Sequence, residues 1–195
     1  MERKYIEENF PIDKIGKLSS TEMSNRHGYI STLHQWWARR PLAASRGTIF
    51  ASLIPFSKNN IEEKNKFIAE LSDWKNSTNQ RILAKAISEI KKYNKNETIK
   101  ILDPYGGGGS IPLESLRLGN ETYSMDYNPV AVLLQKCTFE FPQKFHNAPK
   151  KFGEKQSQNL LNDVKYWGEW VGKKAEREFG ELFFAKFKAQ TIGCS

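Results

Sequence analysis

The residues best placed to do chemistry are Asp103-Pro104-Tyr105-Gly106-Gly107-Gly108-Gly109-Ser110, followed further on by a second acid, Asp126. A glycine-rich loop that leads from a strand into a helix binds a nucleotide-like ligand. A dinucleotide fingerprint needs glycine at its first, third and sixth positions, and counting from Gly106 the sixth is Ile111. A phosphate loop ends in Gly-Lys-Ser/Thr, which occurs nowhere in the chain. Asp103 at the mouth of the loop would repel a pyrophosphate at close range. It suits a cation instead, while the glycines let backbone and ligand approach closely. S-adenosylmethionine carries an ammonium and a sulfonium and no phosphate. Asp126, at the end of the next strand, can accept hydrogen bonds from both ribose hydroxyls, as in dinucleotide folds. The plainer alternative is a tight turn made by four glycines, with Asp126 as a helix cap.

The elements that must position these residues read as follows. Residues 98–102 are short, β-branched or aliphatic, and predict a strand ending at Asp103. Ser110 is a candidate cap for a helix over 111–118, with Pro112 in its first turn and Gly119 as its stop. Residues 121–125 predict a second strand, and Asn128-Pro129 the N-cap and first position of another helix. Strand–loop–helix–strand–helix is the first half of a doubly wound parallel sheet, so the fold class is α/β.

Upstream, residues 1–22 look irregular around Pro11. Ser31–Leu53 reads as a helix interrupted near Pro41, with Leu42, Ile49 and Leu53 on one face of its second part. Helical patterns follow over 61–74 and through Ile82, Leu83, Ala86, Ile87 and Ile90. Residues 139–158 look like a polar loop, and Leu160, Val164, Trp167 and Val171 mark a last amphipathic helix. The expected domains are a helical one over 1–97 and a sheet-containing one over 98–195.

The bulk numbers bound the class. The chain has 195 residues, 38% hydrophobic and 12% aromatic, which is globular rather than disordered composition. No run approaches the roughly 18 apolar residues of a bilayer span. Met1-Glu2-Arg3-Lys4 leads into no apolar stretch, so no secretory signal is expected and a cytoplasmic location is. Cys137 and Cys194 are the only cysteines, too few for a disulfide framework or a cysteine-rich zinc site. Net charge is +8, and no acid lies between Glu22 and Glu62. That window holds Arg26, Arg39, Arg40, Arg46 and Lys58 among His27, His34, Trp36 and Trp37. Basic residues interleaved with aromatics can bind a nucleic acid, or can simply form a solvated helix face.

Asp103-Pro104-Tyr105-Gly106-Gly107-Gly108-Gly109-Ser110-Ile111-Pro112-Leu113-Glu114 resembles motif I of amino-group DNA methyltransferases, Asp-Pro-Phe-x-Gly-x-Gly. Asp126-Tyr127-Asn128-Pro129 resembles their ribose-binding motif II. The run from Arg26 to Arg46, with Trp36-Trp37-Ala38-Arg39-Arg40-Pro41 at its centre, resembles the opening domain, of unknown function, of a bacterial and archaeal family of adenine-specific DNA methylases. The resemblance spans roughly residues 3–185. It implies a partial Rossmann-like class I methyltransferase sheet with a helical N-terminal extension, S-adenosylmethionine as cofactor and DNA adenine as target. It carries cofactor binding onto Asp103 to Ser110, Asp126 and Asn128. In related enzymes a motif upstream of motif I closes over the methionine end of the cofactor. Here that role falls to Trp37, Arg39 and Arg40, and an arginine could pair with the methionine carboxylate. Core packing is the alternative use for the tryptophans.

Amino methyltransferases also need Asp/Asn/Ser-Pro-Pro-Tyr/Phe, whose polar groups accept from the target amine while the aromatic stacks on the flipped base. None of the eight prolines is adjacent to another. The expectation is therefore the cofactor-binding portion of a longer or split enzyme, inactive alone, with DNA and a complementary C-terminal half or downstream subunit as partners. A non-catalytic nucleic-acid-binding module and a portion of an RNA methyltransferase remain the alternatives.

Overall fold

The computed structural model describes residues 3–24, 30, 33–145 and 160–191, with side chains in the last stretch for Asn162 and residues 164–179. Arg26, His27, Cys194 and the loop expected after residue 145 lie outside the described residues. The described chain is mostly helical, with one small parallel sheet. It divides into two compact units, 1–140 and 141–195. The expected domain boundary at residue 97 falls inside the first unit.

The first unit opens with α1 (Tyr5–Glu8) and α2 (Ile12–Ser24). The sequence led us to expect residues 1–22 to be irregular; those described, 3–22, are largely helical instead. Pro11 precedes the first turn of α2 rather than breaking a helix, and its carbonyl accepts from Ile15 N–H at 3.0 Å. Next come α3 (Leu42–Leu53), α4 (Ile61–Ser72) and α5 (Gln80–Tyr93). Helix α3 is apolar or small around most of its surface, which makes it the central helix. Phe50, Ala51 and Ile49 bury there against Ile68, Leu71 and Phe67 of α4 and Leu83, Ala86 and Ile90 of α5. The helical period expected for α5 is real, and Asn79 caps it by accepting from Arg81 and Ile82 N–H. The first half of the expected 31–53 helix is not helical where described: residues 33–41 are bends, a turn and irregular chain. Pro41 disfavours helix in the residue before it.

Strand β1 (Lys100–Asp103), helix α6 (Ser110–Arg117), strand β2 (Glu121–Ser124) and helix α7 (Pro129–Gln135) follow in the expected order. The strands pair in parallel, with Ile101 opposite Thr122 and Leu102 opposite Tyr123. One face packs on the helices: Ile101 is half-buried, and Thr122 shares a 2.7 Å hydrogen bond with Ser115 of α6. The other face leaves Leu102 61% and Tyr123 50% exposed. Helix α6 is tied to α3 by a buried ion pair, Arg46 to Glu114, in which Arg46 also donates to the Leu71 carbonyl at 2.9 Å. Glu114 takes a second partner in Arg117.

The loop expected from residue 139 begins as helix instead. A wide π-type turn over Lys136–Glu140 extends α7. In the second unit, α8 (Phe141–Phe145) is followed by α9 (Leu160–Thr191). On α9 the rings of Tyr166, Trp167 and Trp170 meet edge to face at 5.3 and 5.7 Å. Among the described residues no helix is long and apolar enough to cross a membrane.

Candidate functional site

Two parallel strands side by side bring their following loops together, and the residues singled out in sequence meet there. Asp103 ends β1 nearly buried, and its Oδ1 accepts from Tyr105 N–H at 3.1 Å. Pro104 and Tyr105 face solvent, Tyr105 being 88% exposed. The loop then fastens itself to the segment after β2. Gly106 N–H donates to the Met125 carbonyl at 2.9 Å, and Gly107 N–H to Asp126 Oδ2 at 2.7 Å. Gly109 N–H closes the turn on the Gly106 carbonyl at 2.7 Å. With these donors engaged inside the protein, the loop is poorly suited to cradle a phosphate, which needs backbone N–H groups aimed outward.

Asp126 is shared between two backbone donors: Oδ2 takes Gly107 N–H, and Oδ1 takes Asn128 N–H at 2.8 Å. A carboxylate offers about four lone-pair sites, so both oxygens keep accepting capacity. Asn128, not Asp126, is the cap of α7, accepting from Val130 N–H at 2.9 Å. Ser110 does not cap α6, contrary to its sequence reading. Gly109 occupies that position in a left-handed conformation, and Ser110 Oγ donates to the Arg40 carbonyl at 2.7 Å. The pull of that distant carbonyl redirects the hydroxyl.

The Arg40 contact belongs to a larger arrangement. Residues 33–41 lie along the glycine loop as a strap. A Cβ on Gly107, whose φ is +49°, would come within 2.9 Å of Trp36 Nε1. A Cβ on Gly108 would come within 3.0 to 3.2 Å of the Arg39 guanidinium. The glycines therefore admit the chain's own indole and guanidinium. Trp37, the tryptophan named from sequence, is 90% exposed, and Arg40 is exposed apart from its engaged carbonyl.

Arg39 is the electrostatic focus. Its Nη2 donates to the His34 carbonyl at 3.3 Å, while its Nε is buried with no hydrogen-bond partner among the described residues. Burial pulls its pKa down from the ordinary arginine value, and the charge of Glu22 opposes that shift. A guanidinium stays protonated under such a shift, so the result is a poorly satisfied cation beside Gly108. An anionic group would relieve it.

Two participants, Gln135 and Glu22, escaped the sequence reading, and Trp36 was singled out there only as part of the Trp36-to-Pro41 segment. Gln135 is buried and donates from Nε2 to the Gly107 carbonyl at 3.0 Å, bracing the loop from α7. Trp36, rather than its neighbour, packs on the loop. Glu22 reaches the strap's end from α2. Nothing local separates Trp36 from Trp37, and nothing local marks Glu22.

A family model described as a protein of unknown function (DUF1156) matches residues 9–77, a stretch that includes the strap and stops before β1. No curated protein and no solved structure matches the chain.

Proposed function

We propose that this chain holds S-adenosylmethionine as the cofactor-binding part of a Rossmann-like class I methyltransferase, of the type that modifies the exocyclic amine of adenine in DNA. The observation that carries the reading is the bond between Gly107 N–H and Asp126, which joins a glycine loop after one strand to an acid after its parallel neighbour. The crevice outside the carboxyl ends of adjacent parallel strands is where such sheets bind ligands.

The residues fit the cofactor's chemistry in three respects. The loop's internally engaged N–H groups suit a phosphate-free ligand. Asp126 retains acceptor sites for ribose hydroxyls. Arg39, whose buried Nε has no hydrogen-bond partner among the described residues, offers a guanidinium that can bind a carboxylate with two parallel hydrogen bonds. The bound cofactor would supply an electrophilic methyl group. The chain's own part is to bind and orient; transfer needs the Pro-Pro-Tyr/Phe motif, which in this proposal a complementary polypeptide contributes together with DNA contacts.

Calorimetry with S-adenosylmethionine tests the proposal. The expected result is binding with Kd in roughly the micromolar range or weaker, abolished by Asp126→Ala. A folded wild-type chain that gives no heat would sink it. A purely nucleic-acid-binding role draws less support, because Arg39 faces Gly108 and leaves Arg40 as the exposed arginine of the pair.

A further inference from the structure

The strap carries no helix or strand of its own where it crosses the loop, so something must fix its ends. At Arg40 the Ser110 hydroxyl holds its carbonyl. Immediately beyond, the chain enters α3, whose first N–H groups need acceptors. The residue at the cap position is Pro41, which has no side-chain acceptor. The acceptor comes instead from Glu22 of α2, 20 residues upstream. Its Oε1 takes Leu42 N–H and its Oε2 takes Ala43 N–H, both at 2.9 Å, and the side chain is 7% exposed. Two charge-assisted bonds at a helix N-terminus, out of water, are among the stronger local fixings a fold can make. They set where the strap ends and in which direction it runs.

We propose that Glu22 is a positioning residue: its carboxylate holds the strap on the glycine loop, so that Arg39 and Gly108 face one another only while both α3 N–H groups are engaged. The consequence for ligand affinity rests on the loop being the cofactor seat; the consequence for Trp36 does not. Two lesser roles predict other results. If Glu22 acted only by charge, neutralising it would leave Arg39 less balanced and would tighten the binding of a carboxylate-bearing ligand. If it were only a stabilising cap, its loss would lower the melting temperature without moving Trp36 in the folded state.

The test uses fluorine NMR of the full chain labelled with fluorotryptophan, which gives one signal for each of the five tryptophans. Trp36→Phe identifies the Trp36 signal. Glu22→Gln keeps the side chain's shape but turns an amide N–H₂ toward one of the two helix donors. The expected outcome is a displaced Trp36 signal, unchanged Trp74, Trp167 and Trp170 signals, and S-adenosylmethionine affinity weakened about tenfold. Should Glu22→Gln fail to fold, Glu22→Asp, one methylene shorter with its charge intact, is expected to move the Trp36 signal in the same way by less. A Trp36 signal unmoved in the folded variants overturns the proposal, as does tighter cofactor binding by Glu22→Gln. A displaced Trp36 signal in a chain whose wild type binds no cofactor keeps the positioning role and removes the cofactor reading.

Discussion

The two faces of the small sheet are treated in opposite ways. Beneath Ile101 and Thr122 lie α6 and α3, and behind them a closed core in which Phe50, Ile54, Ile68 and Leu71 are fully buried. On the other face Leu102 and Tyr123 stand side by side in solvent, joined by Met125 beyond the strand at 57% exposed. Parallel sheets usually bury both faces. The difference locates the stability of this unit in its helical layer and leaves the sheet as a platform that the layer holds. Among the described residues, the glycine loop is met from outside the sheet by Trp36, Arg39 and the Arg40 carbonyl from the strap, by Gln135 from α7 and by Phe139 from the turn after it.

The strongest way to break the comparison is at the joint between the layers. Arg46→Ala would strand the Glu114 carboxylate, which is wholly buried, and leave the Leu71 carbonyl without its donor. A loss of about 3–5 kcal/mol in urea unfolding is expected, because removing one partner of a buried pair leaves an uncompensated charge. Replacing the pair together, as Arg46→Met with Glu114→Leu, should recover most of that loss, since similar apolar volume then fills the space. A single variant within about 0.5 kcal/mol of wild type would mean that Arg117 alone satisfies Glu114.

A smaller effect is expected at the loop itself. Gly107→Ala places a Cβ against Trp36 at a backbone angle of φ +49°. A cost of about 1–3 kcal/mol follows from holding a non-glycine residue in that conformation against a packed indole. The same variant should displace the Trp36 fluorine signal, because the strap and not the sheet is what the new methyl group meets. Destabilisation without movement of Trp36 would place the strain in the backbone alone.

These contrasts also mark what a linear reading can reach. The glycine loop, its two acids, the strand–helix alternation and the stripe on α5 were legible because each is local: a run of glycines, a spacing, a 3.6-residue period. The capping of α7 by Asn128 was legible for the same reason. What stayed hidden depends on partners far along the chain. Ser110 has the composition of a cap, yet its hydroxyl is drawn to a carbonyl 70 residues away. Glu22 looks like any surface acid until α3 is set beside it. Trp36 and Trp37 are the same residue type, and only the path of the strap decides which one meets Gly107. Pro11 was taken for a break because a proline at a helix start and one inside a helix differ only in what precedes them.

The smallest effect is expected on the bare face, and it sharpens the comparison most. Leu102→Ser removes an apolar side chain that is 61% exposed and so contributes little burial to the unit. Its β-propensity cost is slight on a two-stranded edge, where packing decides more than intrinsic preference. A stability change within about 0.5 kcal/mol is therefore expected at low protein concentration. The paired substitution on the packed face, Ile101→Ser, puts a hydroxyl where a half-buried aliphatic chain meets the core and should cost several times more. If the two variants instead cost the same, the faces are equivalent in solution, and Leu102 is covered there by protein that its exposure in the isolated chain does not reveal. Repeating the Leu102→Ser measurement across protein concentration separates the cases: a cost that grows with concentration is the mark of a face closed by association, because only then does burial depend on a second molecule.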